Sequence, residues 1–554
     1  MERDELHRRV MILKEELEAG RLNFVPDLQV LNALGEVRYA SDGKVDPETV
    51  DASVRALASG VAFLRQHEEL KRVPLLEVQR AYFDLLELFF GRPFSEMKRH
   101  NVSPHAIATG MASTESLVSA WANEAEQFAS RITEFWTSFG PVVYAHLQDM
   151  RCLKAVYGGD FFPSYTANIA CSVGLYVDTI VLPDPLLRAA PALFPFMKPE
   201  RSLYYIAKHA LNALRYRDIA LADVEPPIVV IAPNNFVLDP QEQAYVRAAG
   251  EADLIEHCSR LFGRKFASAQ RVESFLARLK TVDAVQSSIA DPSRLLFDVE
   301  WAGTPAEQIQ RFEAEVLAPN FASSGTAVHP GKSLWLALSG RMMQTSDVLL
   351  RSYGFGGTPI MDAPTSWQYL LWKYEYDRDR GQRLFPDMDQ VLLTKALQAE
   401  GDQDLGIISG LPPDALIDLR RQGALTELRE TIRAAIAEIN TADPSALAEV
   451  GEAVATTLGE ALSRHKREVA AMAASKRRFF GLEVGPWVGV GAISIAAASA
   501  ANVPLSLLAA AGGLVGVPSA KDLWKHGKEI IAADQELKRS PAGILFRHLE
   551  RKAP

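Results

Sequence analysis

The stretch Leu175-Tyr-Val-Asp-Thr-Ile-Val-Leu182, followed by Pro183-Asp-Pro185, has the composition of a short β-strand that ends in a turn. Two later stretches share this pattern: Ile228–Ile231 precedes Ala-Pro-Asn-Asn, and Leu295–Trp301 precedes Ala-Gly-Thr-Pro. Helical patterns lie between them, at 200–216, 241–262 and 268–289. The order strand, helix, strand, two helices, strand predicts a small α/β unit with three short, partly parallel strands.

Helices that begin at proline dominate the rest of the chain. Proline is favoured at the first helical position because the N–H that it lacks would be unpaired there. Such prolines stand before stretches with an apolar residue every three to four positions, at Pro47, Pro74, Pro104, Pro240, Pro305 and Pro444. We predict helices at 48–71, 75–90, 104–138, 142–156 and within 411–423, and a loop around 352–359.

The fold class predicted from these patterns is mainly α, with the small α/β unit in the middle and an apolar helical hairpin at the C-terminus. Four domains follow from it. They are a helical domain at 1–160, the α/β domain at 161–303, a second helical domain at 304–475, and a basic-flanked apolar hairpin with a C-terminal helix at 476–554.

Charge and cysteine usage narrow the class of protein. The chain has 59 Lys and Arg against 69 Asp and Glu, a net charge of -10, so its global charge predicts no nucleic-acid partner. Cys152, Cys171 and Cys258 are widely spaced and form no Cys-x-x-Cys pair, so we expect neither disulfides nor a zinc site. With a charged N-terminus, these features favour the cytoplasm.

Four polar residues lie at the carboxyl ends of the predicted strands, where open α/β sheets bind ligands, and a fifth, Asp178, lies within the first strand. Asp184 and Glu300 are the candidate catalytic residues, and Asp178, Asn234 and Asn235 are the candidate ligand-binding residues, for a metal or a phosphate-bearing ligand. Asp and Asn are also the ordinary residues of turns that end strands, so a purely structural role stays open. Asp298 and Glu300 do not complete a nuclease pattern, because Ala302 stands where a lysine would be needed.

The common catalytic and metal-binding motifs are missing from the sequence. The segment from Gly325 to Gly331-Lys332-Ser333 has five residues between its glycines, whereas a Walker loop has four. No His-Glu-x-x-His and no Gly-x-Ser-x-Gly motif occurs. The sequence therefore predicts no metal, indicates no particular cofactor, and leans away from an enzyme.

The C-terminal region carries the leading functional hypothesis. No charged residue occurs between Glu483 and Lys521, and Asn502-Val-Pro504 divides the stretch into two apolar arms, each shorter than the roughly 20 residues of a spanning helix. We predict a hairpin that inserts shallowly or conditionally into an anionic membrane, with burial inside the protein as the alternative. The predicted membrane-contact residues are Lys476, Arg477, Arg478, Phe479, Phe480, Trp487, Lys521, Trp524 and Lys525.

Three functional hypotheses follow. The first is a cytoplasmic protein whose body, 1–475, senses or binds a partner while 476–530 engages the inner face of the cell membrane, as a tether or a pore-forming effector. Bacterial effectors and toxins use this architecture, which is an analogy only. The second is an enzyme or ligand-binding protein that uses 170–303. The third is a helical scaffold of a protein complex.

Overall fold

The computed structural model describes residues 2–22, 26–91, 93–99, 102–159, 174, 177–193, 197–297, 303–314, 329–361, 364–380 and 413–421. These residues are mainly α-helical and contain one four-stranded parallel sheet, which confirms the predicted fold class. The C-terminal hairpin at 476–554 lies outside the described residues. The described residues form two compact units: an N-terminal unit within 1–85 and 133–151, and a sheet unit within 86–132 and 152–421.

The N-terminal unit is helical. Its elements are α1 (Arg3–Glu18), α2 (Leu28–Gly35), a 3₁₀ turn (Pro47–Thr49), α3 (Ala52–Lys71), most of α4 (Leu75–Phe90) and the end of α7 (Glu115–Asp149). Leu6, Val10 and Leu13 lie on one face of α1 and pack against Val54 and Ala58 of α3. This three-to-four-residue spacing is the apolar stripe of an amphipathic helix, so this unit is held together by helix packing.

The sheet unit contains the remaining helices and all four strands. Its helices are α5 (Phe94–Arg99), α6 (Pro104–Ala112), α8 (Pro185–Leu193), α9 (Pro199–Leu214), α10 (Arg217–Ala220), α11 (Asn235–Leu238), α12 (Pro240–Leu261), α13 (Ala269–Leu276), α14 (Val282–Ser288), α15 (Pro305–Phe312), α16 (Pro330–Phe355), α17 (Pro364–Asp379) and α18 (Pro413–Arg421). Its strands are β1 (Lys154–Gly158), β2 (Thr179–Pro183), β3 (Val229–Ala232) and β4 (Thr358–Met361).

The sheet is parallel throughout, with the strand order β3-β2-β1-β4. Every residue of every strand is buried, as expected of a parallel sheet that is covered on both faces. The chain runs from β1 outward through β2 to β3, and then returns to place β4 on the other side of β1. The strand order therefore reverses between β1 and β4.

Two strands differ from the sequence prediction. Leu295–Phe297 is not a strand: it follows a 3₁₀ turn at Pro292–Arg294, and Leu295 and Phe297 pack into a helical core. Instead, β1 lies where we predicted the end of a helix, and β4 lies where we predicted a loop. β1 is too short for its periodicity to distinguish a strand from a helix. β4 contains Pro359, which argues against a strand.

Close contacts at glycine fix the position of α16, the longest helix of the sheet unit. A Cβ atom at Gly250 of α12 would lie 2.8 Å from the Met343 side chain, so α12 and α16 approach closely there. At the start of α16, a Cβ atom at Gly331 would lie 1.9 Å from the Leu276 carbonyl oxygen. The helix begins at Pro330, capped by His329, and Gly331 allows its first turn to pack against the Leu276 backbone.

Candidate functional site

The structure places the described candidate residues at two opposite edges of the sheet. Asp184 and Asn234 follow β2 and β3 and lie at the carboxyl edge, as predicted. Asp178 precedes β2 and lies at the amino edge, away from them. Asn235 is the first residue of α11, and its side chain is not described. Glu300 lies outside the described residues.

Asp184 caps a helix. Its buried carboxylate accepts hydrogen bonds from the backbone N–H groups of Leu186 (3.2 Å) and Leu187 (2.8 Å) at the start of α8. Its own backbone N–H donates to the Ala232 carbonyl oxygen at 2.8 Å. Because the carboxylate occupies the N–H groups that would otherwise bind an anion, the N-terminus of α8 is closed to a phosphate.

Asp178 forms a buried ion pair with α18. Its carboxylate accepts a hydrogen bond from the Leu153 N–H at 2.9 Å and lies 3.1 Å from Arg420 Nη1. Arg420 also donates to the Pro226 carbonyl oxygen, so its guanidinium connects α18 to the amino edge. These contacts give Asp178 a structural role at that edge.

The point where the strand order reverses lies at the carboxyl ends of β1 and β4. Parallel α/β sheets bind ligands at such a point, because the loops that follow the two strands diverge there. Here β1 ends in Gly158-Gly159 and β4 ends at Met361. A Cβ atom at Gly158 would lie 2.6 Å from Arg351 Nη2, so only glycine lets that guanidinium lie against the strand end.

Arg351 belongs to a buried chain of polar side chains between α16 and the carboxyl edge. Arg351 Nη2 donates to the Tyr157 carbonyl oxygen at 3.2 Å and lies 3.3 Å from the Asp347 carboxylate, one helical turn earlier. Asp347 in turn accepts a hydrogen bond from Asn234 Nδ2 at 3.0 Å. Each of Asn234, Asp347 and Arg351 is less than 5% exposed. The chain runs from the end of β3 to the end of β1.

The Arg351 guanidinium has unused hydrogen-bonding capacity. A guanidinium carries five N–H donors, and the two contacts of Arg351 are both made by Nη2. Nε and Nη1 are buried and have no hydrogen-bond partner among the described residues. Leaving a buried donor unpaired costs about 1–3 kcal/mol, and more for a charged group. An anion at this position would remove that cost.

Asp347 and Arg351 were not among the site residues predicted from the sequence. They stand four residues apart in Asp347-Val-Leu-Leu-Arg351, a spacing that on most helices forms an exposed ion pair. The three apolar residues between them lie on other faces of the helix, so residue spacing does not show that the pair is buried.

A second buried charge cluster connects α12 to α17. Asp253 is completely buried and accepts from Lys373 Nζ at 2.7 Å and from Arg380, while Asp377 lies 3.3 Å from Lys373 Nζ and also contacts Arg380. Two carboxylates face two cations, so the charges balance within the cluster. This closed arrangement indicates a structural role.

His257 and Cys258, on α12, are buried and are not arranged for nucleophilic catalysis. His257 Nδ1 lies 2.8 Å from the Tyr376 hydroxyl, and burial lowers the pKa of His257 to about 3. Burial also raises the pKa of the Cys258 thiol far above its usual range. The two side chains therefore remain uncharged near neutral pH.

The described part of the chain has neither a cluster of metal ligands nor a helix that could span a membrane. It contains no group of three or more His, Cys, Asp or Glu side chains placed to hold a metal ion. Every helix described is too short or too polar to cross a bilayer.

Comparisons with known proteins assign no family. No protein-family model, no curated protein and no solved structure matches the chain. The candidate site thus stands on its own geometry: a buried arginine at the point where the strand order of a parallel sheet reverses.

Proposed function

We propose that the chain is a ligand-binding protein that holds a small phosphate-bearing molecule at the carboxyl edge of its parallel sheet. The observation that carries this proposal is the Arg351 guanidinium, which is buried beside the end of β1 with Nε and Nη1 unpaired among the described residues. Arginine binds phosphate oxygens through its N–H donors, and Nε and Nη1 both carry N–H groups without a partner among the described residues.

The surroundings of Arg351 support binding of an anion. Asp347 and the Tyr157 carbonyl oxygen hold Nη2 and so fix the plane of the guanidinium. Asn234 donates to Asp347, which leaves less of that carboxylate's charge to oppose an incoming anion. A donor group held in place before binding loses little conformational entropy on contact, which favours affinity.

The proposal covers binding and assigns no catalytic residue. Asp184, the described residue predicted to be catalytic, is committed to capping α8. Of the candidate residues from the sequence, Asn234 is the one included in the proposed site. Its side chain donates to Asp347, which contacts Arg351.

Thermal unfolding with inorganic phosphate and AMP, which each carry one phosphate, tests this proposal. A probe at 100 times its Kd should stabilise the wild type by about 2.7 kcal/mol. Arg351→Met should abolish the response, and Arg351→Lys should weaken it, because lysine keeps the charge but lacks the planar set of N–H donors. Arg420→Met is the matched control, since Arg420 is an equally buried arginine paired with an aspartate at the opposite edge.

Loss of folding and loss of binding are separable in this design. Both methionine variants leave a buried aspartate without its arginine, so both should unfold at lower temperature. Only Arg351→Met should lose the probe-dependent shift. An Arg351→Met protein that responds like the wild type, or a wild type that responds to neither probe, refutes the proposal.

A second proposal rests on the sequence of 476–530. We propose that this segment engages anionic membranes, supported by the uncharged stretch from Val484 to Ala520 and its basic flanks. Sedimentation with vesicles containing phosphatidylserine should retain the full chain and not a chain truncated after Ser475. Replacing Lys476, Arg477 and Arg478 by glutamine should weaken retention. Equal sedimentation of the full and truncated chains would exclude this role.

A further inference from the structure

A basic pocket opens on the surface of the sheet unit at the turn between α12 and α13. Its volume is about 440 Å³, within the range of roughly 300–1,000 Å³ that small-molecule sites occupy. Four of its eight lining residues are cationic, two are phenylalanines and none is acidic: they are Arg264, Lys265, Phe266, Ala267, Arg271, Ser274, Phe275 and Arg278. We call this cavity the basic pocket.

The end of α12 and the start of α13 shape one wall of the basic pocket. Helix α12 ends with Gly263 at a φ of 59°, and the N–H groups of Gly263 and Arg264 donate to the carbonyl oxygens of Arg260 (3.2 Å) and Ser259 (3.0 Å). This glycine-centred helix end turns the chain sharply toward α13. Ser268 then caps α13 by accepting from the Arg271 N–H at 3.3 Å. The loop between the two caps forms one wall of the pocket.

Helix α13 and the turn after it form the other wall. Arg271, Ser274, Phe275 and Arg278 stand at positions i, i+3, i+4 and i+7, so the helical spacing places them on one face. Glu273 is also on α13 but outside this stripe, and it does not line the pocket. The face directed at the pocket is therefore basic and aromatic, without a compensating carboxylate.

The rings of two phenylalanines pack against the Arg264 guanidinium. Phe266 and Phe275 are half-buried, their ring centroids lie 5.4 Å apart, and both pack against the helical core of the sheet unit. The Arg264 guanidinium lies 5.2 Å from the Phe266 centroid and 4.8 Å from the Phe275 centroid. Stacking on a ring orients a guanidinium without neutralising its charge.

The cations of the pocket have no ionic partner among the described residues. Arg264, Lys265, Arg271 and Arg278 are all exposed, and none of them forms an ion pair there. Arg260, one turn before the end of α12, shows the contrast, because it pairs with Glu256, Glu375 and Asp379. In a chain with a net charge of -10, four cations around one cavity without a described carboxylate partner create a local field that attracts anions.

We propose that the basic pocket binds a compact polyanion that carries at least two phosphate groups, either a soluble polyphosphorylated molecule or a phosphorylated lipid headgroup. Three arginines can each donate paired N–H groups to phosphate oxygens, and the Ser274 hydroxyl can supply another donor. A single-stranded nucleic acid fits less well, because the cavity is small and Arg264 already covers both rings on which a base would stack.

Titration calorimetry with tripolyphosphate, pyrophosphate and orthophosphate tests this inference on the full chain. We expect affinity to rise with the number of phosphates and to fall at least ten-fold between 50 and 200 mM NaCl, as multiple charge contacts require. The double variant Arg271→Gln/Arg278→Gln should bind tripolyphosphate at least 100-fold more weakly. Both side chains are exposed, so the variant should fold. Arg247→Gln, an exposed arginine of α12 outside the pocket, should bind as the wild type does.

Vesicles separate the two sources of the phosphate groups. Phosphatidylcholine vesicles with and without 10% phosphatidylinositol bisphosphate are sedimented with the wild type and the double variant. Retention only on the phosphorylated vesicles, lost in the double variant, assigns a headgroup, whereas tripolyphosphate binding without retention assigns a soluble ligand.

Three outcomes would overturn the inference. The wild type does not bind tripolyphosphate in the titration at all; the double variant binds it with unchanged affinity; or a single-stranded oligonucleotide binds more tightly than tripolyphosphate. Loss of tripolyphosphate binding in Arg351→Met alone would move the phosphate site to the sheet edge, so the failure of this inference is distinguishable from that of the first proposal.

Discussion

Replacing Asp253 by asparagine removes one completely buried charge from the centre of an ion-pair network. In the wild type, its carboxylate lies 2.7 Å from Lys373 Nζ and also contacts Arg380. At that separation and an effective dielectric constant of about 20, the Lys373 contact alone has a gross Coulomb energy of about 6 kcal/mol. In the variant, Lys373 keeps only Asp377, at 3.3 Å, while two cations remain against one carboxylate.

The expected loss of stability is about 3–5 kcal/mol, because breaking a buried ion pair from one side leaves an uncompensated buried charge. Urea unfolding monitored by tryptophan fluorescence measures it, since Trp372 belongs to the same helical core. Asp253→Leu/Lys373→Met should cost much less than the single change, because it removes one charge of each sign and leaves Asp377 paired with Arg380. Glu5→Gln, which breaks surface pairs with Arg8 and Arg9, is the control and should cost far less than the Asp253 change.

Two results would refute this reasoning. One is a loss below about 1 kcal/mol for Asp253→Asn, which would mean that water solvates the network. The other is a double variant as unstable as the single one, which would mean that packing and not charge balance determines the cost.

Three further predictions concern other buried features. Burial lowers the pKa of His209 and of His257 to about 3, so between pH 6.5 and 3 the unfolded chain binds protons that the folded chain does not. The free energy of unfolding should therefore fall on acidification by about 1.4 kcal/mol per pH unit for each histidine. Urea unfolding from pH 6.5 to 4.5 should show that this dependence on pH is weaker by the same amount in His257→Gln. An unchanged dependence in that variant contradicts the prediction. Gly331→Ala should destabilise the protein by about 3 kcal/mol or more, because its Cβ meets the Leu276 carbonyl oxygen. Gly340→Ala, on the same helix but facing open space, should be neutral or stabilising in the same assay. Similar effects of the two variants would be inconsistent with the packing described. Because burial raises the pKa of its thiol, Cys258 should react with a thiol reagent only in denaturant, as peptide mapping of the labelled chain would show, and labelling in the native state would refute its burial.

The sequence predicted the parts of the fold whose signals are local. Helix starts at Pro104, Pro240 and Pro305 are confirmed, because each proline follows a Ser, Asp or Thr whose side chain caps the helix. The strands β2 and β3 were also found, because β-branched runs followed by Pro-Asp or Pro-Asn carry both a strand and a turn signal.

The other two strands carry weaker signals. β1 follows a 35-residue helix and spans only five residues, so it reads as the end of that helix. β4 contains Pro359, which argues against an interior strand; the structure accommodates it because β4 is at the edge of the sheet. Neither position follows from local sequence, since each depends on pairing between distant segments.

In the candidate site, too, local sequence located some residues but did not reveal their contacts. Asp184 and Asn234 could be placed at the carboxyl edge because they directly follow strands. Their roles could not be predicted: Asp184 caps α8, while Asn234 donates to a carboxylate 113 residues later in the chain. Arg351 was missed because its burial depends on α16 crossing the sheet edge at Gly158. Contacts of this range are set by tertiary packing and leave no trace in residue spacing.

The most direct test of a ligand site at Arg351 is the identity of small molecules that the protein retains from a cell extract. Wild-type, Arg351→Met and Arg420→Met proteins are incubated with the same extract, washed, and denatured, and the released compounds are identified by mass spectrometry. We predict that a phosphorylated compound is released by the wild type and by Arg420→Met, at close to one per chain, and is absent from Arg351→Met. The same set of compounds from all three proteins would contradict the proposed site.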